Sequence, residues 1–324
     1  MNPTGTQQIT YAVNNFYDRV LLERAVPAFI YTRFAQVRDI PEGNTNVIKF
    51  RRYTNLTAQL TPLNEGVTPT GSVLSSTDIT ATVKQYGDYV TLTDFVQMTT
   101  LDPILTETAE LLGDEAGDTL DQLTRDILVA GTTVQYAQDN TARNQIANDG
   151  SDIVNTTDFL KIVRTLKNNK AKRVLAMIDP TPGIGTTPIM PAYIGFVHPD
   201  TTYDLKSMTG FVKISAYPSS TPILPDEVGS YDEIRFIESP NAKIFTGAGA
   251  SSCNVYATMI IAMNAYGISR ISGEALENIV KPLGSAGTAD PLNQRATSGW
   301  KATFTAVRLN ETFMVRYEHA TSFS

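Results

Sequence analysis

The chain has 324 residues, 42% of them hydrophobic, and carries 33 acidic against 26 basic side chains for a net charge of −7. That length can bury a substantial core, and no window approaches the run of about 20 apolar residues that a membrane-spanning helix needs. The acidic balance argues against a protein that grips nucleic acid through its phosphates, and a single cysteine, Cys253, excludes an internal disulfide or a cysteine-based metal centre.

The first residues, MNPTGTQQITYAVNNFYDRV, lack a basic stretch followed by an apolar block, so no export signal is expected and the protein is made and used inside a cell. From Gln8 to Phe34, Ile9, Val13, Phe16, Val20 and Leu21 recur at helical spacing until Pro27 interrupts them. A lone amphipathic helix of this kind needs something to lie against. Residues 40 to 95 read as a long β-hairpin with little core of its own: Ile48 and Phe50 alternate in one arm, and Ile79, Ala81 and Val83 in the other. The intervening TPLNEGVTPTGS, Thr61 to Ser72, is a polar tip whose prolines and glycines end strand pairing. Two-stranded ribbons are marginal in water, so the economical reading has a neighbouring copy stabilise this one; the alternative is a hairpin folded back on its own domain.

The strongest helix follows. Asp102 is its expected N-cap and Pro103 its first residue, and Ile104, Thr108, Leu111, Leu112, Ala116, Leu120, Leu123 and Ile127 form one stripe up to Gly131. The other face is an acidic ridge of Glu107, Glu110, Asp114, Glu115, Asp118, Asp121 and Asp126 against one Arg125. Such a ridge reads as a solvated surface or as a contact for basic residues of a second subunit, for instance Arg51 and Arg52. Residues 151 to 284 look like a mixed lobe. Thr156 or Thr157 caps a helix with Phe159, Ile162, Val163 and Leu166 inward and Lys167, Lys170 and Lys172 near its C-terminus. Strands are expected at Val174–Ile178, Tyr193–Val197, Glu233–Glu238 and Val255–Met263, separated by the Pro- and Gly-rich loops DPTPGIGTTPIMP and YPSSTPILPDE. After GSAGTADPLNQ, Trp300–Arg308 and Thr312–Glu318 read as two strands flanking LNE.

Chemistry has no visible candidate. The two histidines, His198 and His319, stand far apart without a second ligand at metal-binding spacing, and each reads as structural. Cys253 reads as a small buried apolar residue. The glycine-rich PGIG and TGAGAS pieces lack the rest of a phosphate-binding signature, and no acidic pair stands out as a glycosidase dyad. No catalytic residue, cofactor or metal is expected.

Four blocks are recognisable together: LNEGVTPT followed by VKQYGDYVTLTD (Leu63 to Asp94), GFVHPDTTYDLK (Gly195 to Lys206), SPNAKIFTGAG (Ser239 to Gly249), and KPLGSAGTADPLNQRATSGWKATFTAVRLNETFMVRYE (Lys281 to Glu318). On these the sequence resembles the major capsid proteins of tailed bacteriophages, in the group typified by a large podophage coat protein, with the α+β Hong Kong 97-like capsid fold. The resemblance implies an N-terminal arm over residues 1–40 and an extended loop over 41–94. It implies a peripheral domain of 95–150 and 285–324, with a spine helix over 103–130, and an axial domain over 151–284.

It further implies self-assembly into pentamers and hexamers of an icosahedral head enclosing double-stranded DNA held without sequence-specific contacts. The partners would be other copies, a portal protein and separate scaffolding and decoration or cement proteins, with no membrane; the protein would be assembled in the host bacterial cytoplasm and reside in the virion. The chain starts almost at the arm, so a separate scaffold or none is implied. From Tyr53 to Val83 there is no lysine, which disfavours the covalent loop cross-links of some family members. The residues expected to carry assembly contacts are Arg51, Arg52, Leu63, Asn64, Glu65, Glu107, Glu110 and Asp114. Two other readings are weighed against this one: a cellular nanocompartment shell, and a β-rich carbohydrate-active enzyme or secreted adhesin.

Overall fold

The computed structural model describes residues 29–43, 45–54, 56–66, 68–69, 71–99, 104–175, 190–217, 224–271 and 276–323. Of the helix expected over Gln8 to Phe34 only the end is described, as turns, and the Asp102–Pro103 helix start lies outside the described residues. Strand β1 (Gln36–Val37) precedes the hairpin β2 (Val47–Tyr53) and β3 (Ser76–Thr82), then β4 (Lys84–Thr93), the short helix α1 (Asp94–Thr99) and the long helix α2 (Ile104–Val129). The chain continues through β5 (Val134–Tyr136), α3 (Thr156–Asn168), β6 (Tyr193–Val197), α4 (Pro199–Ser207) and β7 (Val212–Lys213). Strands β8 (Glu227–Tyr231), β9 (Ile234–Glu238), β10 (Ile244–Phe245), β11 (Val255–Ile261), β12 (Tyr266–Ser269) and β13 (Glu277–Lys281) then lead to β14 (Arg295–Arg308) and β15 (Met314–His319).

Two sheets organise these elements. In the first, the long β14 pairs along one edge with β4, from Arg295↔Thr93 to Phe304↔Lys84, and along the other with β13 and then β12. Helix α2, 26 residues and therefore about 39 Å long, lies across this sheet. Leu112, Ala116 and Leu120, spaced by four, set one face of the helix against Trp300, Ala302, Phe304 and Ala306 of β14.

The second sheet runs β5-β15-β11-β6-β9-β8-β7, with β10 also on β11. Its central strand β6, YIGFV, is buried at every position because both faces are covered. Alternation sorts the side chains: Tyr193, Val197, Ile234, Phe236, Ile260 and Tyr317 meet Phe159, Ile162, Val163 and Leu166 of α3. Ile194, Phe196, Ile237, Met259, Ile261 and Met314 face the other way, onto Ile30, Tyr31, Tyr266 and the C-terminal end of α2 at Leu128 and Val129. Helix α2 thus touches both cores, one with each half.

Several expectations change. The C-terminal strands do not form one hairpin. Asn310 accepts from the Thr312 N–H at 3.3 Å and opens a short 3-10 turn over Glu311–Phe313, so the chain leaves the first sheet after β14 and enters the second as β15 beside β11. Consequently Met314–His319 shares a sheet with residues 193–261, and Tyr266–Ser269 shares the sheet under α2, so the two layers do not follow continuous chain ranges. The cap of α3 is Asn155, before both Thr156 and Thr157; its Oδ1 accepts from the Asp158 N–H at 2.8 Å. Of the strand expected at Val174–Ile178, Leu175 makes an isolated bridge to Ala192, and residues 176–178 lie outside the described residues. Along α2, Leu111 is 66% exposed whereas Asp121 is fully buried, a reversal of the expected faces. The physical reason is that residues 29–31 cover part of the helix surface that periodicity alone assigns to solvent.

Candidate assembly surface

The hairpin expected over residues 40 to 95 is shorter: β2 and β3 pair with Ile48↔Ala81 and Phe50↔Ile79 in register, whereas Lys84–Thr93 leaves it as β4 and pairs with β14 in the first sheet. Phe50 and Ala81 point inward and are buried, and the Phe50 ring lies so close to Gly267 of β12 that a Cβ there would sit 3.0 Å from it. The base of the hairpin is therefore anchored on its own subunit. Beyond the Thr54–Ser75 hydrogen bond at 2.9 Å the ladder stops, and no helix or strand forms over the described residues 56–75. Prolines and glycines at 62, 66, 69 and 71 explain the end of pairing.

Leu63, Asn64 and Glu65 are exposed at this tip. They have company that residue-by-residue reading as a polar tip passes over: Leu60 is 89% exposed and Val73 88%, with Leu56 and Leu74 also out in solvent. Among the described residues these large apolar side chains join no core cluster, which gives the tip an apolar surface. The signal was present in LTAQL and SVL, flanking the Pro- and Gly-rich centre.

Within the subunit Arg51 and Arg52 bind partners away from the acidic ridge. Arg51 is paired across the hairpin with Asp78 at 2.8 Å, which holds the Asp78 carboxyl below its usual range. Arg52 turns to the β14–β15 connection, donating to Asn310 Oδ1 at 3.1 Å and to the Leu309 carbonyl at 3.4 Å. Arg51 therefore ties the two arms of the hairpin together, and Arg52 fixes the direction of the hairpin relative to its own subunit. On α2, Glu107 is exposed and Glu110 and Asp114 are half-buried. Asp118 Oδ1 accepts from Asn241 Nδ2 at 3.1 Å, and Arg125 donates to the Asn241 carbonyl at 2.6 Å, so the ridge is partly engaged with the loop after β9.

The remaining titratable side chains are structural. His198 accepts from the Asp200 N–H at 3.2 Å and caps α4. His319 is fully buried between Thr258 Oγ1, 2.9 Å from Nε2, and the Ala320 carbonyl, 2.8 Å from Nδ1. Cys253 is only half-buried and donates to the Ile146 carbonyl at 3.2 Å, unlike the plain apolar residue expected, and burial pushes its thiol up. Among the described residues no group of three or more His, Cys, Asp or Glu side chains is placed to hold a metal ion, and no helix is long and apolar enough to cross a membrane.

A family model described as phage capsid protein matches residues 76–316. The chain belongs to the phage capsid protein family. This capsid protein matches no curated protein in sequence. Its fold is nevertheless shared with solved heads. The capsid of Ralstonia phage GP4 superposes with a TM-score of 0.67 at 11% identity, covering 88% of this chain and 87% of that one. The capsid of cyanophage Pam1 gives 0.62 at 15% identity over 93% of each chain, and the head of Helicobacter pylori bacteriophage KHP40 gives 0.61 at 12% identity over 91% and 90%. The α+β Hong Kong 97-like fold and the role as a major capsid protein of a phage head, read from the sequence, both stand. The capsid protein is accordingly a component of the virion, and its family is a structural one; neither the nanocompartment reading nor the enzyme or adhesin reading gains support.

Proposed function

We propose that the protein gathers into pentamers and hexamers that close the head around double-stranded DNA, with each extended loop lying over a neighbouring subunit. The observation that carries this is the hairpin itself: its base is locked to its own subunit through Phe50 and Arg52, while its tip holds leucines and a valine that none of the described residues cover. Many modest contacts suffice, because closure of a shell multiplies them. In this reading residues 1–40 are the arm and 41–94 the loop. The lobe built on α2 and β14, within 95–150 and 285–324, is peripheral, and the lobe of α3 and the second sheet, within 151–284, is axial. Strands β12 and β13 from the axial range join the first sheet, and β5 and β15 from the peripheral range join the second. The net charge of −7 suits an inner wall that does not hold the packaged polymer. Portal, scaffolding and cement proteins complete the partners, and assembly takes place in the host cytoplasm.

Electron microscopy of the purified protein, together with its mass in solution, tests the proposal. Closed shells, tubes or five- and six-membered rings are expected, and a monomer that stays dispersed even with a scaffold overturns it. Deleting Thr61 to Ser72 is expected to leave folded subunits that do not close. Normal particles from the deletion would remove the loop from the mechanism.

A further inference from the structure

The lobe of α3 and the second sheet carries opposite charge at its two ends. Strands β6 and β9 run parallel, from Tyr193↔Ile234 to Val197↔Glu238. At their starting ends lies the segment that closes α3: Lys167 and Arg173 both bind Glu233, at 2.6 Å each, and the Lys172 carbonyl accepts from the Met263 N–H. Beyond that ion triplet Arg164, Lys170 and Lys172 are exposed and make no ion pair among the described residues, with Asp232 in the adjoining turn as the nearby opposing charge.

At the finishing ends of the same strands, about 13 Å further along β9, α2 crosses and leaves a cleft of about 880 Å³. Asp114, Asp118, Asp226 and Glu238 line it against Lys206 and Lys213. Glu227 also lines it; this buried carboxylate accepts from Tyr217 at 2.9 Å and approaches the buried Arg235, yet its Oε2 has no hydrogen-bond partner among the described residues. The buried Arg235 lies beside that carboxylate, so it is the rim of the cleft, where Asp114, Asp118, Asp226 and Glu238 outnumber Lys206 and Lys213, that suits a cationic occupant.

We infer that the basic end of one subunit, Arg164, Lys170 and Lys172, seats at the acidic cleft of the next copy within a capsomer. This rests on the proposed capsomer and goes further by naming the two surfaces that meet. Complementary patches at opposite ends of one lobe make a head-to-tail contact, which closes into rings when the rotation per step allows. Electrostatic complementarity of this kind speeds encounter and fixes register more than it adds affinity. It is also indifferent to whether five or six copies close the ring.

The test uses full-length protein under conditions in which the native sequence forms shells; if the native sequence forms none, the capsomer reading fails and not this one. One variant reverses the basic end (Arg164→Glu with Lys172→Glu) and another the cleft (Asp118→Lys with Glu238→Lys). Each alone is expected to lower the yield of closed particles by about tenfold or more, while the melting temperature of unassembled subunits stays near native. The variant with both ends reversed is expected to recover shells, which a folding defect would not do. An equimolar mixture of the two single-end variants alternates acidic and basic subunits. It is expected to build six-membered rings, sheets or tubes but not five-fold vertices, since an odd ring cannot alternate. Single-end variants that assemble like the native protein overturn the inference, as does normal assembly with reduced packaged DNA, which would assign the basic end to nucleic acid. Failure of the doubly reversed variant to recover, with its subunits folded, overturns it as well.

Discussion

The main-chain N–H of Tyr31 donates to Asp121 Oδ1 at 2.7 Å, tying the stretch before β1 to the middle of the long helix. The Ile30 N–H reaches the same oxygen at 2.9 Å, and Tyr266 completes the joint by donating its hydroxyl to the Tyr31 carbonyl. Burial pushes the Asp121 carboxyl up to about 7 despite the two donors. A carboxyl raised in the folded state contributes stability that is full below its unfolded value near 4 and is lost as pH climbs through about 7.

His319 works in the opposite sense. Burial holds its imidazole down to about 4, so its contribution is full above the unfolded value near 6.5 and falls away as pH drops towards 4. Each effect is on the order of 3 kcal/mol, and the windows overlap, so the two largely offset each other. Denaturation of unassembled subunits between pH 4.5 and 7.5 should therefore show a shallow slope for the native chain. Asp121→Asn should make stability rise with pH, and His319→Gln should make it fall. Parallel curves for all three proteins would refute the assignment of both groups.

Glu318 is fully buried and receives Arg143 through both carboxylate oxygens at 2.7 Å, and Arg316 at 2.7 Å. Arg143 also lies over the Phe245 ring, 3.4 Å from its centroid. Removing one partner leaves a buried charge half-compensated, so Arg143→Ala should cost about 3 kcal/mol in chemical denaturation. The further change Glu318→Gln in that background should restore part of the loss. An unchanged denaturation midpoint for Arg143→Ala would show the pair to be dispensable.

Gly267 is where the extended hairpin meets its own subunit. A methyl group there would sit 3.0 Å from the Phe50 ring and 3.2 Å from the Gln36 carbonyl, closer than ordinary contact. Gly267→Ala should destabilise the subunit by about 1–3 kcal/mol and shift the hairpin base. Thermal melting reads the first effect and particle yield the second; native values of both would mean that Phe50 moves aside freely.

Arg52 separates aiming the loop from folding the subunit. Its partners Asn310 and the Leu309 carbonyl sit in the turn that sends the chain from one sheet to the other. Arg52→Ala should leave the melting temperature nearly native, as exposed polar contacts add little stability, yet lower the yield of closed shells. Equal loss of both, or of neither, would contradict the aiming role.

Period and punctuation made much of this legible. Alternation at Ile48 and Phe50 and at Ile79 and Ala81 located the two arms of the hairpin, because side chains on a strand repeat every two residues, and the structure supplied their register. Four-residue spacing of Leu112, Ala116 and Leu120 located the long helix and one buried face. The intrasubunit partners of Arg51 and Arg52 were not legible, since Asp78 and Asn310 are 27 and 258 residues away from them.

By itself the sequence determined the hairpin arms, α2, α3 and the strands β6, β9, β11, β14 and β15, the fold class and, through its capsid-like blocks, the family, because these follow from local periodicity, turn residues and motif order. Tertiary structure alone decided that β14 and β15 part into different sheets, that Asp121 faces Ile30 and Tyr31 instead of water, and that the lobe around β6 is cationic at one end and anionic at the other. Those outcomes depend on which distant segments cover which surfaces, and burial and electrostatics are properties of that covering, not of any window along the chain.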